Sequence, residues 1–281
     1  MNFRTILVHL DRSGRSAARA ALAAQWAKAH ESHLVGLVPT GLHGGVVPAG
    51  TVAVGMTDYI ADAASRLRLR AEAVAREFRE GIQESGPLSY EVCLADGGAV
   101  DALVRHGRAS DLLVLGQDGD GSDAADATAR GLVPQVLVEA GRPLLIVPCV
   151  GNFNAPAKNV AVAWDGSRES AIAIHAGLPA LRRAARVTLI SCSHPGGADD
   201  ERRLLVPEML QFLLRHGVRA SAQREVTEID IADALLSRTA ELGADLLVMG
   251  GYGHSRLRER VLGGVTRRIL AQMAVPVLMV H

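Results

Sequence analysis

The spacing of glycines after an apolar run near the end of the chain is the strongest chemical signal in the sequence. A run that ends at Met249 is followed by Gly250, Gly253 and Gly263, with two residues in the first gap and nine in the second. Glycines let backbone N–H groups approach an anion closely, and a helix that begins at Gly264 offers unpaired N–H donors and about half a positive charge. The spacing therefore predicts a phosphate-binding loop, with a surface loop before a capped helix as the alternative.

Other polar residues follow apolar runs that predict strands, and open α/β sheets bind ligands at the carboxyl ends of their strands. Asp11 and Asp165 each follow such a run, where an aspartate either caps the next helix or contacts a ligand. We favour capping for Asp11 and ligand contact for Asp165, because an intact glycine loop accompanies only the second. His254 lies inside that loop, where it either donates to a phosphate or has no role, and Trp164 either packs at the strand end or borders the ligand.

The chain repeats itself once. Three segments recur in the same order, namely 6–13 with 160–167, 111–116 with 245–250, and 143–147 with 276–280. The order predicts two copies of one domain, over residues 1–150 and 156–281, with a short linker at 149–157 that is rich in glycine, asparagine and proline. The first copy has about twenty additional residues, most of them in 40–55 and in the helical pattern 57–84.

Short apolar runs alternate with helical patterns in each copy. In the second copy we expect strands at 160–164, 187–193, 220–226, 246–250 and 275–280, separated by helices from 168, 204–215, 229–242 and from 264. This alternation is typical of right-handed βαβ units, and the apolar runs indicate strands that are buried on both faces. The sequence therefore predicts an α/β protein with two tandem Rossmann-like, open, parallel five-stranded sheets that carry helices on both faces.

These motifs resemble the universal stress protein family in its tandem form. The resemblance rests on the Gly-x2-Gly-x9-Gly spacing from Gly250, the Asp-x-Ser at Asp165 and the final Pro-Val-Leu-Met-Val, and it covers essentially the whole chain. The glycine spacing is similar to that of the family's ATP-binding subgroup. The resemblance implies that two such domains pack together, that two chains form a homodimer, and that ATP is bound with Mg²⁺.

The resemblance also implies which residues contact the nucleotide. Those near the nucleoside are Ala163, Trp164 and Asp165, with Cys192 against the adenine, and those on the phosphate side are Met249, Gly250, Gly253, Gly263, Gly264, Val265 and Thr266. One position departs from the family pattern, which has Ser or Thr where this chain has Gly264. The backbone donor remains there, and the Thr266 hydroxyl is a candidate to replace the missing one.

The first copy lacks the same motif. Gly116 and Gly119 match the first two glycines, but Arg130 aligns with Gly263, and the loop contains Asp118 and three further aspartates at 120, 123 and 126. Carboxylates around a triphosphate repel it, so we expect one nucleotide site in the chain, in the second copy. The aspartates do not fit a calcium-binding EF-hand loop, and we expect them to be solvated.

Several other function classes are excluded or disfavoured by composition. Lys+Arg and Asp+Glu are balanced at 30 each and aromatic residues are 3%, which disfavours nucleic acid and membrane surfaces as partners. The lysines, Lys28 and Lys158, do not follow a glycine loop, so no Walker P-loop is present. Three unclustered cysteines and the lack of an apolar leader predict a cytoplasmic protein without metal ligands of its own.

The expected function is therefore a stress-response protein in which ATP occupancy of the second domain acts as a conformational or assembly signal. No catalytic residues are predicted, since nothing in the sequence supplies a general acid and base for efficient hydrolysis. Two alternatives stay open: an interaction module of the same fold that binds no nucleotide, and a slow ATPase.

Overall fold

The computed structural model describes residues 2–42, 56–118, 131–153, 155–195, 205–252 and 263–281. The first half of the chain contains β1 (Thr5–His9), α1 (Ser16–His30), β2 (His33–Pro39), α2 (Met56–Glu84), β3 (Tyr90–Ala95), α3 (Ala99–Gly107), β4 (Leu112–Gly116), α4 (Leu132–Glu139) and β5 (Leu144–Val147). The second half contains β6 (Asn159–Ala163), α5 (Arg168–Leu181), β7 (Arg186–Ser193), α6 (Val206–Arg215), β8 (Ala220–Val226), α7 (Ile231–Glu241), β9 (Leu246–Gly250), α8 (Gly264–Gln272) and β10 (Val277–Val280).

The elements confirm the predicted alternation of strands and helices. The strands β8 and β9 span the residues that the apolar runs predicted, and α5 and α8 begin at the predicted residues. The last strand begins at Val277 rather than Val275, directly after Pro276, whose nitrogen has no hydrogen to donate to a ladder. The fold class is therefore α/β with parallel strand pairing inside each half.

The ten strands form one continuous sheet rather than two separate ones. Their order is β3-β2-β1-β4-β5-β10-β9-β6-β7-β8, so each half has the same internal order and the halves meet at β5 and β10. That junction is the antiparallel pair of the sheet, in which Leu278 lies opposite Leu145. The prediction of two five-stranded parallel sheets holds within each half, but it missed that the two sheets share this ladder.

Helices cover both faces of the sheet, as expected. Strand residues alternate between two buried clusters, so that Ile6 and Val8 belong to one and Leu7 to the other. The first cluster is closed by α1, α2, α5 and α6, and the second by α3, α4, α7 and α8. Because Leu145 and Leu278 both belong to the first cluster, the two halves share one hydrophobic core across the junction.

The junction can be tested through the pairing of Leu145 with Leu278. Each side chain is fully buried, so either Leu→Ala change should lower the free energy of unfolding by about 2–5 kcal/mol. Because the two residues are cross-strand partners, the double variant should depart from additivity by about 0.5 kcal/mol or more in urea titrations. Leu69→Ala is the matched control, since Leu69 is 65% exposed and should change stability by less than about 0.5 kcal/mol. Additive Leu145 and Leu278 effects would contradict the junction.

Candidate functional site at the carboxyl ends of β6 and β9

A cavity of about 340 Å³ lies at the point where the strand order of the second half reverses. β6 and β9 are parallel neighbours, but the chain leaves β6 towards β7 and leaves β9 towards β10 on the opposite side. The helices that follow these strands diverge there and leave a crevice, which is where open α/β sheets bind ligands. The described residues that line it are Ala163, Trp164, Asp165, Ser167, Ser170, Ile190, Cys192, Ile231, Leu235, Met249, Gly250, Val265 and Thr266.

Most of the residues named from the sequence come together in this cavity. They are Ala163, Trp164, Asp165, Cys192, Met249, Gly250, Val265 and Thr266. Gly263 and Gly264 lie at the start of α8, next to Val265, but are not part of the lining. Gly253 and His254 lie outside the described residues. Ligand contact by these residues stays a prediction, and the structure shows that eight of them surround one cavity.

Sequence reasoning missed five of the described lining residues. They are Ile231 and Leu235, one turn apart on α7, Ser167 and Ser170 at the N-cap and in the first turn of α5, and Ile190 in β7. The two serines form a Ser-x-x-Ser pattern that signals a helix start, so the sequence contained a sign of where α5 begins. The apolar residues gave no comparable sign, because core positions share their pattern.

One end of the cavity is apolar and closely packed. Ile190, Leu235 and Met249 are each at least 96% buried, and Trp164 is 93% buried. The backbone N–H of Trp164 donates to the carbonyl oxygen of Ile190 at 2.9 Å and so continues the ladder between β6 and β7 past the end of β6. These side chains give this end of the cavity an apolar wall.

Cys192 completes the apolar end without being reactive. Burial, and next the negative charge of Glu225, raise the pKa of the Cys192 thiol to about 11. The side chain therefore remains a protonated thiol at neutral pH and acts as a small, weakly polar surface.

The loop from Asp165 to Ser170 is fixed by short-range hydrogen bonds. The Ser167 backbone N–H donates to Asp165 Oδ1 at 3.0 Å, and the Ser170 N–H donates to Ser167 Oγ at 3.1 Å. Ser167 is therefore the N-cap of α5, and Asp165 holds the turn that precedes it. These bonds keep the Asp165 carboxylate at the mouth of the cavity.

Gly250 permits the close packing of β9 against α5. A Cβ atom at this position would lie 2.6 Å from the backbone nitrogen of Ser170 and 2.6 Å from the carbonyl carbon of Glu169. Backbone atoms cannot give way as a flexible side chain can. The glycine predicted for phosphate contact therefore also has a packing role, since it brings the end of β9 and the start of α5 together.

The start of α8 forms the polar end of the cavity. Gly263 is its N-cap residue, and no described side chain caps the helix. The hydroxyl of Thr266, which is 96% buried, accepts a 3.3 Å hydrogen bond from the backbone N–H of Tyr252. Tyr252 has a φ of 64°, a left-handed conformation that costs energy for a side chain of this size. The Thr266 hydroxyl thus fixes the point where the chain leaves β9 and keeps its own hydrogen to donate, so its replacement of the hydroxyl absent at Gly264 stays a prediction.

An ion pair joins the two helices that flank the cavity. Arg268 of α8 donates from Nε to Asp233 Oδ1 at 2.6 Å and from Nη2 to Asp233 Oδ2 at 2.7 Å. This two-pronged geometry constrains orientation as well as distance. It holds the start of α8 against α7, so both helices present fixed walls to the cavity.

Comparison with known proteins gives a consistent result. Residues 156–281 match the model of the Universal stress protein family. Universal stress protein Slr1230 from Synechocystis is 24% identical over 211 residues, which span 74% of this chain and 71% of the relative. Both comparisons therefore find similarity between this chain and universal stress proteins.

Solved structures extend the likeness in fold to the whole chain. A universal stress protein from Archaeoglobus fulgidus has a TM-score of 0.73 at 18% identity and covers 98% of this chain and 97% of its own. A functionally unknown protein from Pseudomonas aeruginosa has a TM-score of 0.57 at 16% identity and covers 99% of this chain and 92% of its own. At these identities the two structures share the fold with this chain.

At the corresponding strand ends of the first half, side chains of the chain itself pair with each other. Arg19 of α1 is 97% buried, donates from Nε to the carbonyl oxygen of His9 at 2.8 Å, and places Nη2 2.9 Å from Asp11 Oδ2. In the repeat, Asp11 corresponds to Asp165. The expectation that Asp11 caps α1 is wrong, since Arg15 is the N-cap residue and no side chain caps the helix. Asp11 instead accepts from Ser13 and pairs with Arg19, because a buried guanidinium needs a counter-charge.

The polar end of the first crevice is also filled from within. Asp118 accepts from the backbone N–H of Gly131 at 2.9 Å and of Val133 at 3.3 Å, so its carboxylate lies at the start of α4. In the repeat, α4 corresponds to α8. The expectation of a solvated loop is therefore wrong for Asp118, because the unpaired N–H groups of α4 attract a carboxylate. The other three aspartates lie outside the described residues.

Groups of three or more His, Cys, Asp or Glu that could hold a metal ion do not occur in the part of the chain that the structure describes. In that same part, no helix is both long enough and apolar enough to cross a bilayer.

The buried cluster of the first half predicts an acid-sensitive stability. Burial, and next the charge of Arg19, lower the pKa of His9 from 6.5 to about 4. The unfolded chain therefore binds a proton that the folded chain does not between these values, so stability falls as pH falls from about 6.5 to 4. At pH 5 this residue should lower the free energy of unfolding by about 2 kcal/mol relative to pH 7.5. His9→Ala removes that contribution, so denaturant titrations should find it less destabilising at pH 5 than at pH 7.5. Equal losses at the two pH values would contradict this interpretation.

Proposed function

We propose that the protein binds one ATP, with Mg²⁺, in the second half, and that nucleotide occupancy acts as a conformational or assembly signal in a stress response. The observation that carries this proposal is the contrast between two equivalent helix starts. A carboxylate of the chain caps α4, whereas α8 has no side-chain cap among the described residues and opens onto a cavity. A ligand anion at α8 would take the place that Asp118 takes at α4.

The apolar end of the cavity suits the adenine ring. Ile190, Leu235 and Met249 present buried apolar surface, and the Cys192 thiol stays neutral. Asp165 is held at the mouth beside Ser167, where a carboxylate can accept hydrogen bonds from ribose hydroxyls or the adenine amino group. The cavity volume lies within the range of about 300–1,000 Å³ that small-molecule sites occupy.

The start of α8 suits the phosphates. Its backbone N–H groups lack intrahelical partners, and the helix dipole favours negative charge at this end. Gly264 removes a hydroxyl from the family pattern but keeps its backbone donor, and Thr266 holds the outgoing loop in place. Asp165 is the carboxylate in the described lining, so Mg²⁺ would be held chiefly through the phosphate oxygens, whose charge it would partly neutralise.

The first half would act as a structural partner. In the first half Arg19 pairs with Asp11 and the Asp118 carboxylate caps α4, so we propose one nucleotide for each chain. The described lining of the second site offers neither histidine nor lysine as a proton-transfer group, which favours binding over efficient hydrolysis. Pairing of two chains stays a prediction, to be measured by light scattering with and without nucleotide.

A single substitution at the start of α8 tests the proposal. Gly263 has a φ of −54°, and a Cβ atom there would meet nothing within 4 Å, so a side chain fits without strain. Gly263→Asp copies the carboxylate of the first half and should cap α8, leaving stability unchanged or slightly raised. It should weaken ATP binding by about tenfold to a hundredfold, since a carboxylate about 4 Å from a phosphate repels it by a few kcal/mol at the surface. Isothermal titration calorimetry with Mg-ATP measures this.

Gly263→Asn is the matched control. Asparagine caps a helix as well as aspartate does but has no charge, so this variant should keep most of the ATP affinity. Adenosine binding should be the same in both variants, because the substitution lies at the phosphate end. Equal ATP affinities of the Asp and Asn variants would contradict phosphate binding at α8, and no ATP binding by the unmodified protein would favour the interaction module.

A further inference from the structure

The last turn of α8 is capped by a side chain from the other half of the protein. A helix leaves its final four carbonyl groups without intrahelical partners. In α8, Gln117 Nε2 donates to the carbonyl oxygen of Leu270 at 2.8 Å and to that of Ala271 at 3.2 Å. Gln117 directly follows β4, so an amide of the first half satisfies two carbonyls at the end of the proposed nucleotide-binding helix.

The same amide also holds the start of the linker between the halves. Gln117 Oε1 accepts a 2.9 Å hydrogen bond from the backbone N–H of Cys149, which lies just beyond β5. The Gln117 backbone N–H donates to Val147 at 2.8 Å and continues the ladder between β4 and β5. All polar groups of the side chain are therefore engaged, and the side chain is fixed at both ends.

The side-chain cap runs from the first half to the second half, without an equivalent in the reverse direction among the described residues. The repeat places Gly251 at the position that corresponds to Gln117, and glycine has no side-chain amide that could donate to the carbonyl groups at the end of α4. A Cβ atom on Gly251 would lie 2.9 Å from Leu137 Cδ2 and 3.1 Å from Met279 Sδ, so a larger residue there would require both side chains to shift. The first half thus holds α8 through Gln117, whereas the described residues of the second half include no equivalent side-chain bond to the end of α4.

Because α8 is short, a movement of its first turn also moves its last turn. The helix has nine residues and is about 13 Å long, so it moves as a short rigid rod. Val265 and Thr266 line the cavity at its first turn, and Leu270 and Ala271 accept from Gln117 at its last. A phosphate that draws the first turn towards itself changes the position of the last turn relative to Gln117.

We propose that Gln117 is a positioning residue that couples nucleotide binding at α8 to the linker between the two halves. The inference rests on the proposed function, because it requires the second half to bind a nucleotide. Gln117 fixes α8 so that its backbone donors face the phosphates, and occupancy of the site tightens the bond between Gln117 and Cys149.

The test compares ATP with adenosine. Gln117→Met keeps the length of the side chain and removes its hydrogen bonds to α8 and to Cys149. It should reduce ATP affinity about fivefold or more and leave adenosine affinity within about twofold, because only ATP has phosphates at the start of α8. A merely structural role would alter both ligands alike. Gln272→Met is the matched control, since Gln272 is an exposed residue at the same end of α8, and its ratio of ATP to adenosine affinity should equal that of the unmodified protein.

Amide hydrogen exchange provides a second measurement that needs no variant. ATP should slow exchange at the Cys149 amide of the unmodified protein, adenosine should do so less, and Gln117→Met should abolish the effect. An unchanged affinity ratio in Gln117→Met, or a Cys149 amide insensitive to ATP, would overturn the coupling while leaving nucleotide binding intact. If Gln117→Met fails to fold, the exchange measurement on the unmodified protein decides. Absence of ATP binding by the unmodified protein would overturn the proposed function and the coupling together.

Discussion

Backbone N–H groups at the start of a helix need acceptors, and the two halves of this protein meet that need in different ways. At α4 the acceptor is Asp118, which precedes the helix and turns back onto it. At α8 the corresponding position is Tyr252, whose side chain instead packs on His281 with ring centroids 5.3 Å apart. The first helix start is satisfied within the chain, and the second remains suited to an anion from solution.

The ends of β1 and β6 show the same contrast. Arg19 and Asp11 neutralise each other inside the first half, with His9 kept uncharged beside them. The pKa of Asp11 falls to about 2, because the charge of Arg19 together with His9 and the hydrogen bonds from Ser13 outweighs the cost of burial. In the second half, Ala163 and Ala173 stand at the positions of His9 and Arg19, which removes both basic side chains and leaves room. The first half thus has an internal ion pair, and the second half has alanine at the position of its arginine.

The continuous sheet connects the helix starts of the two halves. Since β5 and β10 form one ladder, the start of α8 and the loop after β4 lie on the same rigid framework. Gln117 and Asp118 are neighbours in sequence, yet one caps the end of α8 and the other the start of α4. The two halves are therefore joined by direct side-chain contacts as well as by the sheet.

Local patterns predicted much of this structure. Apolar runs and glycine positions predicted the strands and the repeat, and they placed the candidate site at the carboxyl ends of the strands. The eight lining residues at strand ends and at the start of α8 were expected from the resemblance to the universal stress protein family. The junction of the two sheets was not predictable in this way, since β5 and β10 are short and wholly apolar and their sequences do not specify a partner. Nor were the roles of Arg19, Asp118 and Gln117, because a charged or amide side chain in a helix or loop has the same sequence pattern whether it is solvated or bonded to a distant element.

The number of ATP molecules bound to each chain at saturation tests the central claim most directly. Equilibrium dialysis of the purified full-length chain against Mg-ATP, after removal of any co-purified nucleotide, gives that number without assumptions about affinity changes. The account predicts one, because in the first half Arg19 pairs with Asp11 and Asp118 caps α4. A value of two would show that these side chains do not prevent binding in the first half, and a value of zero would show that the start of α8 does not serve a nucleotide.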